Sequence, residues 1–146
     1  MKGNPEGRHG QVLVGPACHS NGVTQVDMVL EKSTTMRVWV GVTFIVDSNE
    51  SGLGLDKLGA CWDYDLGAGT ISSDRGNTQN KIGFPAKSGD HVQVSVDTVS
   101  HTISFSIGGI DYKDVFTHDL IQGDNLHVRL EVKHDLDSDE TRVRLR

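Results

Sequence analysis

The amino-acid sequence predicts an all-β protein, a single sandwich of two antiparallel sheets. Three observations carry the prediction. Apolar and polar residues alternate at period two, most regularly where Val92, Val94 and Val96, and then Ile103, Phe105 and Ile107, share a face. That period marks strands buried on one side only. Turn-forming clusters punctuate the chain at short intervals, among them Ser51-Gly52, Arg75-Gly76-Asn77, Ser88-Gly89-Asp90 and Gly123-Asp124-Asn125. No segment has a convincing helical period, and residues 117–122 have helical potential for one turn at most.

In chain order the expected strands are 11–14, 24–31, 36–46, 59–65, 69–73, 90–97, 101–108, 111–115, 126–133 and 141–145. Val38, Val40, Val42 and Phe44 make an inward row in the third. Trp39 is out of phase with that row and faces either the second layer or solvent. Trp62, in the fourth, is expected to pack between the sheets, with Cys61 beside it as a small buried hydrophobe. Gly108-Gly109 joins two alternating runs by a type I′ turn, because glycine reaches positive φ without steric cost. Leu126, Val128, Leu130 and Val132 form a further inward row. The acidic DLDSDE of residues 135–140 is a hairpin loop rather than a tail, since TRVRLR resumes the alternation after it.

A length of 146 residues fits one domain with a real core, read as a lead-in over 1–21 and a sandwich over 22–146. Fourteen Lys and Arg against twenty Asp and Glu give a net charge of -6, which disfavours nucleic acid or an anionic membrane as the main partner. No apolar run approaches a membrane span, and MKGNPEGRHG lacks a signal-peptide core. A monomeric, cytoplasmic protein with reduced Cys18 and Cys61 is therefore expected. The Asn49-Glu50-Ser51 sequon has little meaning in that setting.

Catalytic and metal chemistry find little footing. Asp63 and Asp65 fall on one strand face, and two carboxylates about 5 Å apart suit retaining glycosidases. A pair from a single strand with no third acid more often caps a turn or faces solvent. Asp135, Asp137 and Asp139 alternate like the start of a calcium loop, but the central Gly and the terminal Glu are missing. His118, His127 and His134 have no ligand spacing, and no GxSxG nucleophile elbow occurs. No enzyme activity, metal or cofactor is expected.

Five pieces, in order, resemble a SPRY domain, a sandwich module used for protein recognition. They are VWVGV (Val38 to Val42), GACWDYD (Gly59 to Asp65), GDHVQVSVD (Gly89 to Asp97), TISFSIGG (Thr102 to Gly109) and Val115-Phe116. The resemblance runs over roughly residues 22–132 and continues more weakly to the end. The chain departs from the family with Gly108-Gly109 for Asn-Gly, with Leu126-His127 for hydrophobic-Pro, and with a short N-terminal extension.

The resemblance implies a non-catalytic module that binds a peptide or protein through loops converging on one edge. Matched segment by segment, those loops are residues 47–57 and 133–140, with 73–81 flanking. The implied contacts are Asn49, Leu53 and Leu55, then Lys133, His134, Asp135 and Leu136. The acidic run at 135–140 suggests a partner that is basic near that rim. The alternative is a carbohydrate-binding or glycan-hydrolysing sandwich. It requires an aromatic platform in an open groove with carboxylates beside it, and only Trp39, Trp62, Tyr64 and Tyr112 could supply the aromatics. A purely structural domain of a larger protein is the third reading.

Overall fold

Among the described residues, period-two alternation becomes eleven strands in two antiparallel sheets. They are seen in a computed structural model that describes residues 8–45, 58–73, 78–122 and 125–146. The strands are β1 (Arg8–Val14), β2 (Val23–Ser33), β3 (Val38–Ile45), β4 (Leu58–Asp65), β5 (Thr70–Ser73) and β6 (Thr78–Lys81), followed by β7 (His91–Asp97), β8 (Thr102–Ile107), β9 (Ile110–Thr117), β10 (Leu126–His134) and β11 (Thr141–Leu145). One sheet has the order β1-β10-β3-β4-β5-β6 and the other β11-β2-β7-β8-β9. No described residue is helical. In place of the single helical turn allowed at 117–122, the chain makes a bend that drops Ile121 fully into the core.

The expected inward rows are present, Leu126 and Val128 being buried and Phe44, Leu130 and Val132 only partly so. Val38, Val40 and Val42 are at most 1% exposed, and across the sandwich Val94, Val96 and Ile103 are completely buried. Trp62 and Tyr64 join this layer, with the Tyr64 ring 5.6 Å from Phe105. Gly108 and Gly109 have φ of 59° and 87°, the two positive values that a type I′ turn needs. The strand that alternation does not announce is β6, whose Thr-Gln-Asn-Lys has no apolar member and lies at a sheet edge.

Trp62 and Cys61 part company. Trp62 is 2% exposed in the core, whereas Cys61 points from the outer face of its sheet, its Sγ 3.3 Å from Thr43 Oγ1. Neighbours on a strand must take opposite faces. Cys18 is the buried thiol, and burial pushes it up to about 11; neither cysteine is in a disulfide.

Register fixes which loops share an end. In the β3–β10 pair Leu126 faces Phe44 and Val132 faces Val38. The strands therefore run head to tail, and β3 ends where β10 begins. The rim at which β10 ends also carries the β2–β3 connection (34–37), the β4–β5 turn (66–69) and the β6–β7 segment (82–90). Backbone bonds tie these together: Lys133 N to Arg37 O at 3.0 Å, Leu66 N to Val38 O at 2.9 Å, Ala86 N to Leu66 O at 2.7 Å and Gly89 N to Leu30 O at 2.6 Å.

Candidate functional site

The acidic loop is built to hold one shape. Asp139 turns its carboxylate inward, where Oδ2 accepts the N–H groups of Asp135 at 3.1 Å and Leu136 at 2.9 Å. Its Oδ1 accepts the Thr34 hydroxyl at 3.2 Å, and Thr34 Oγ1 in turn accepts the Glu140 N–H at 2.9 Å. Arg37 grips Asp135 with a forked pair of bonds from one nitrogen, at 3.0 and 2.7 Å. Glu140 meets Lys32 at 3.4 Å and Arg142 at 2.8 Å. Leu136 stands at the crest of this braced turn, 63% exposed.

The bracing has a pH signature. The Leu136 N–H, followed by that of Asp135 and the Thr34 hydroxyl, holds the Asp139 carboxyl below its usual value. A depressed folded value means that the stabilisation is complete above the unfolded pKa, about 3.9, and is lost as pH falls through the folded value. The Asp135 and Leu136 amide resonances should therefore move together on acidification, with a midpoint below 3.9. A midpoint above 4 would show that the carboxylate does not cap the turn.

Of the expected contacts, Lys133 and His134 are strand residues rather than loop residues. Lys133 pairs with His9 and His134 with Arg8 on β1. His134 Nε2 lies 3.0 Å from Thr141 Oγ1. Asp135 and Leu136 open the turn itself. Asn49, Leu53 and Leu55, and with them the sequon, lie outside the described residues, as do 74–77 of the flanking segment. The anchors of residues 46–57, Ile45 and Leu58, pair with one another where β10 begins. Eight strand residues at about 3.3 Å each place that point roughly 26 Å from where β10 finishes. The two loops expected to converge are thus anchored at opposite ends of the sheet.

The carboxylate pair Asp63 and Asp65 shares the outer face as alternation requires, and both side chains have structural partners. Arg129 Nε donates to Asp63 Oδ1 at 2.9 Å and Nη2 donates to Oδ2 at 2.7 Å. This pair spans the intervening β3 at Gly41, where a Cβ would collide with the Trp62 carbonyl and with Asp63 itself. Asp65 Oδ1 caps the β4–β5 turn through the N–H groups of Gly67 at 3.0 Å and Ala68 at 3.2 Å, and the Trp39 indole bonds to it. Burial nevertheless leaves its carboxyl above the ordinary range.

The aromatic residues do not assemble a platform. Trp62 and Tyr64 are closed in the core. Burial, with the Tyr112 hydroxyl secondary, drives the Tyr64 phenol far up from its ordinary pKa. Tyr112 is half-buried with its ring 5.7 Å from that of Tyr64, and Trp39 is half-buried beside Asp65. The trough on the outer face of the five-stranded sheet is lined by Gln93, Ser95, Ser104, Ser106, Asp111, Lys113 and Asp114, and its one aromatic, Phe105, is 2% exposed. Among the described residues no group of His, Cys, Asp or Glu could hold a metal ion, and no helix is long and apolar enough to cross a membrane.

The surface residue that sequence reasoning passed over is Phe84. It is 71% exposed on the same rim as Leu136, in the segment between β6 and β7. Its sequence signal is an aromatic-proline pair set outside any alternation, between Lys81 and Lys87.

This sandwich is the SPRY fold. The SPRY domain of human HERC1 superposes with a TM-score of 0.67 at 17% identity, over 94% of this chain and 81% of that one. Another human SPRY domain gives 0.65 at 18% identity, over 94% and 83% of the two chains. Stonustoxin gives 0.56 at 14% identity, with 93% of this chain covering 22% of the toxin chain. No protein-family model and no curated protein matches the sequence. At these identities the likeness is one of architecture.

Proposed function

We propose that this chain is a non-catalytic protein-interaction module that binds a peptide or protein through the rim where β10 ends. The observation that carries the reading is Leu136, a large apolar side chain 63% exposed on a turn whose backbone and neighbours are braced by Asp139 and Arg37. A side chain held ready in this way loses little entropy on docking, which is how hot spots gain their affinity. Lys133, His134 and Asp135 supply the polar surround. The SPRY fold supports the same reading, as does the structural use of Asp63 and Asp65. Asn49, Leu53 and Leu55 are assigned to a separate contact, since their segment is anchored at the other end. The charge of the acidic run is partly met within the chain. Arg37 pairs with Asp135, Lys32 and Arg142 pair with Glu140, and Asp139 is turned inward.

The test is a displayed library of random twelve-residue peptides selected on the chain. The double change Leu136→Ala with His134→Ala should weaken the selected peptides more than tenfold, about 1.4 kcal/mol. Stability should change by no more than about 0.5 kcal/mol, as for other surface sites. Unchanged affinity would move the site off this turn.

A further inference from the structure

Phe84 is the most exposed large apolar side chain among the described residues, and Ile82 beside it is 37% exposed. Scattered exposed apolar residues are ordinary. This one is set apart by how it is held and by what surrounds it. The N–H groups of Ile82 and Gly83 both donate to Gly69 O at 3.0 Å, and the Ala86 N–H donates to Leu66 O at 2.7 Å. Gly83 and Ala86 are buried, so the chain is pinned on both sides while Phe84 and Pro85 stand out between the pins. Below, Gly83 abuts the hydroxyl ends of Tyr64 and Tyr112 so closely that a Cβ would strike both. The backbone that carries the ring is therefore fixed before a partner arrives.

The charge around it is equally particular. Lys81 and Lys87 flank the segment, both exposed, and neither ammonium has a carboxylate or hydrogen-bond partner among the described residues. Lys113 and Lys133 likewise lack such a partner among the described residues, whereas Lys32, Arg37, Arg129, Arg142 and Arg144 each face a carboxylate. On a chain of net charge -6, two exposed ammonium groups thus flank an apolar shelf, with the Asp90 carboxylate accepting the Lys87 backbone N–H at 2.8 Å.

We propose that Ile82, Phe84 and Pro85 form a docking shelf for an acidic segment of a partner protein. An apolar side chain of that segment packs on Phe84, and carboxylates on either side of it meet Lys81 and Lys87. The proposal rests on the reading of the chain as a protein-interaction module and names the chemistry of the partner. The shelf lies on the same rim as Leu136. Four strand steps of about 4.8 Å separate β10 from β6, so roughly 19 Å lies between them, within the footprint of one standard interface. An apolar wedge between two lysines also suits an anionic bilayer, but the net charge of -6 opposes approach to one.

The experiment uses the full chain, the displayed twelve-residue library and vesicles of phosphatidylserine with phosphatidylcholine. Peptides selected on the wild type should carry Asp or Glu on both sides of an apolar residue. Phe84→Ser should weaken them more than tenfold without lowering the melting temperature. The double reversal Lys81→Glu with Lys87→Glu should weaken them about tenfold, and wild-type binding should fall as salt rises. Selected peptides that ignore Phe84→Ser but lose binding in Leu136→Ala would overturn the shelf and leave the module standing. Selected peptides without acidic enrichment would overturn the assigned partner chemistry. Vesicle binding that Phe84→Ser abolishes would overturn the protein partner in favour of a membrane. An absence of any selected peptide would overturn the module reading as well.

Discussion

Asp63→Ala is expected to cost about 3–5 kcal/mol of stability, a large part of what a domain this size possesses. The Arg129 residue is only 6% exposed, so removing the Asp63 carboxylate strands a guanidinium that water cannot reach. Burial alone would push the guanidinium pKa down, but the bonds to Asp63 outweigh it and the net movement is upward. Glu131, 3.0 Å from Arg129 Nη2, engages the nitrogen already given to Asp63 Oδ2 and so replaces only part of the fork. Arg129→Met alone should likewise be costly, because it leaves Asp63 buried without its fork. The double variant Asp63→Ala with Arg129→Met should cost less than the sum of the two single changes, since it removes both desolvated charges together. Urea denaturation of the four proteins measures the cycle. Single variants within 1 kcal/mol of wild type would show that the pair is not a stabilising contact, whatever its geometry.

That pair also marks where sequence reading stops. The rows Val38-Val40-Val42 and Val92-Val94-Val96 were legible because one sheet face is buried, and burial on one face writes itself as alternation. The Gly108-Gly109 turn was legible because only a few dipeptides accept two positive φ values. The Arg129–Asp63 fork joins residues 66 apart in sequence, and it depends on a bare Gly41 in the strand between them. No local pattern encodes that juxtaposition. Arg37 and Asp135 are 98 residues apart, so the acidic run looked available to a basic partner until the fold supplied its cations. β6 was missed because Thr78–Lys81 is an edge strand of polar residues, with nothing to alternate. At the candidate site, Leu136 and Asp135 could be placed on a loop by turn chemistry. Whether that loop shared an end with residues 47–57 depended on the β3–β10 register, which the sequence does not print. Phe84 escaped for a related reason. Exposure of a lone aromatic is a property of its support, here Gly69, Gly83 and Ala86, and not of its own neighbours in sequence.

Trp62→Ala is expected to be the other severe change, about 3–5 kcal/mol, through the cavity left where a large ring is removed. Trp62 is 2% exposed and paired between Val42 on β3 and Ser73 on β5, near the middle of the six-stranded sheet. Its ring lies 6.0 Å from that of His118, in the segment that carries Ile121 into the core. Both layers and the β9–β10 connection thus meet at this side chain. Neighbours fixed by two strand ladders can collapse only slightly into the void, which puts the cost toward the upper end of the range. The melting temperature should fall by roughly 10–20 °C. Trp39→Ala should cost less, because the Trp39 ring is half-buried on the outer face and its main tie is the bond to Asp65. Trp62→Phe should fall between wild type and Trp62→Ala, since it restores part of the ring volume. Thermal unfolding of the three variants followed by circular dichroism ranks them. A Trp62→Ala protein that melts with the wild type but no longer binds selected peptides would place this ring at the docking surface instead of the core.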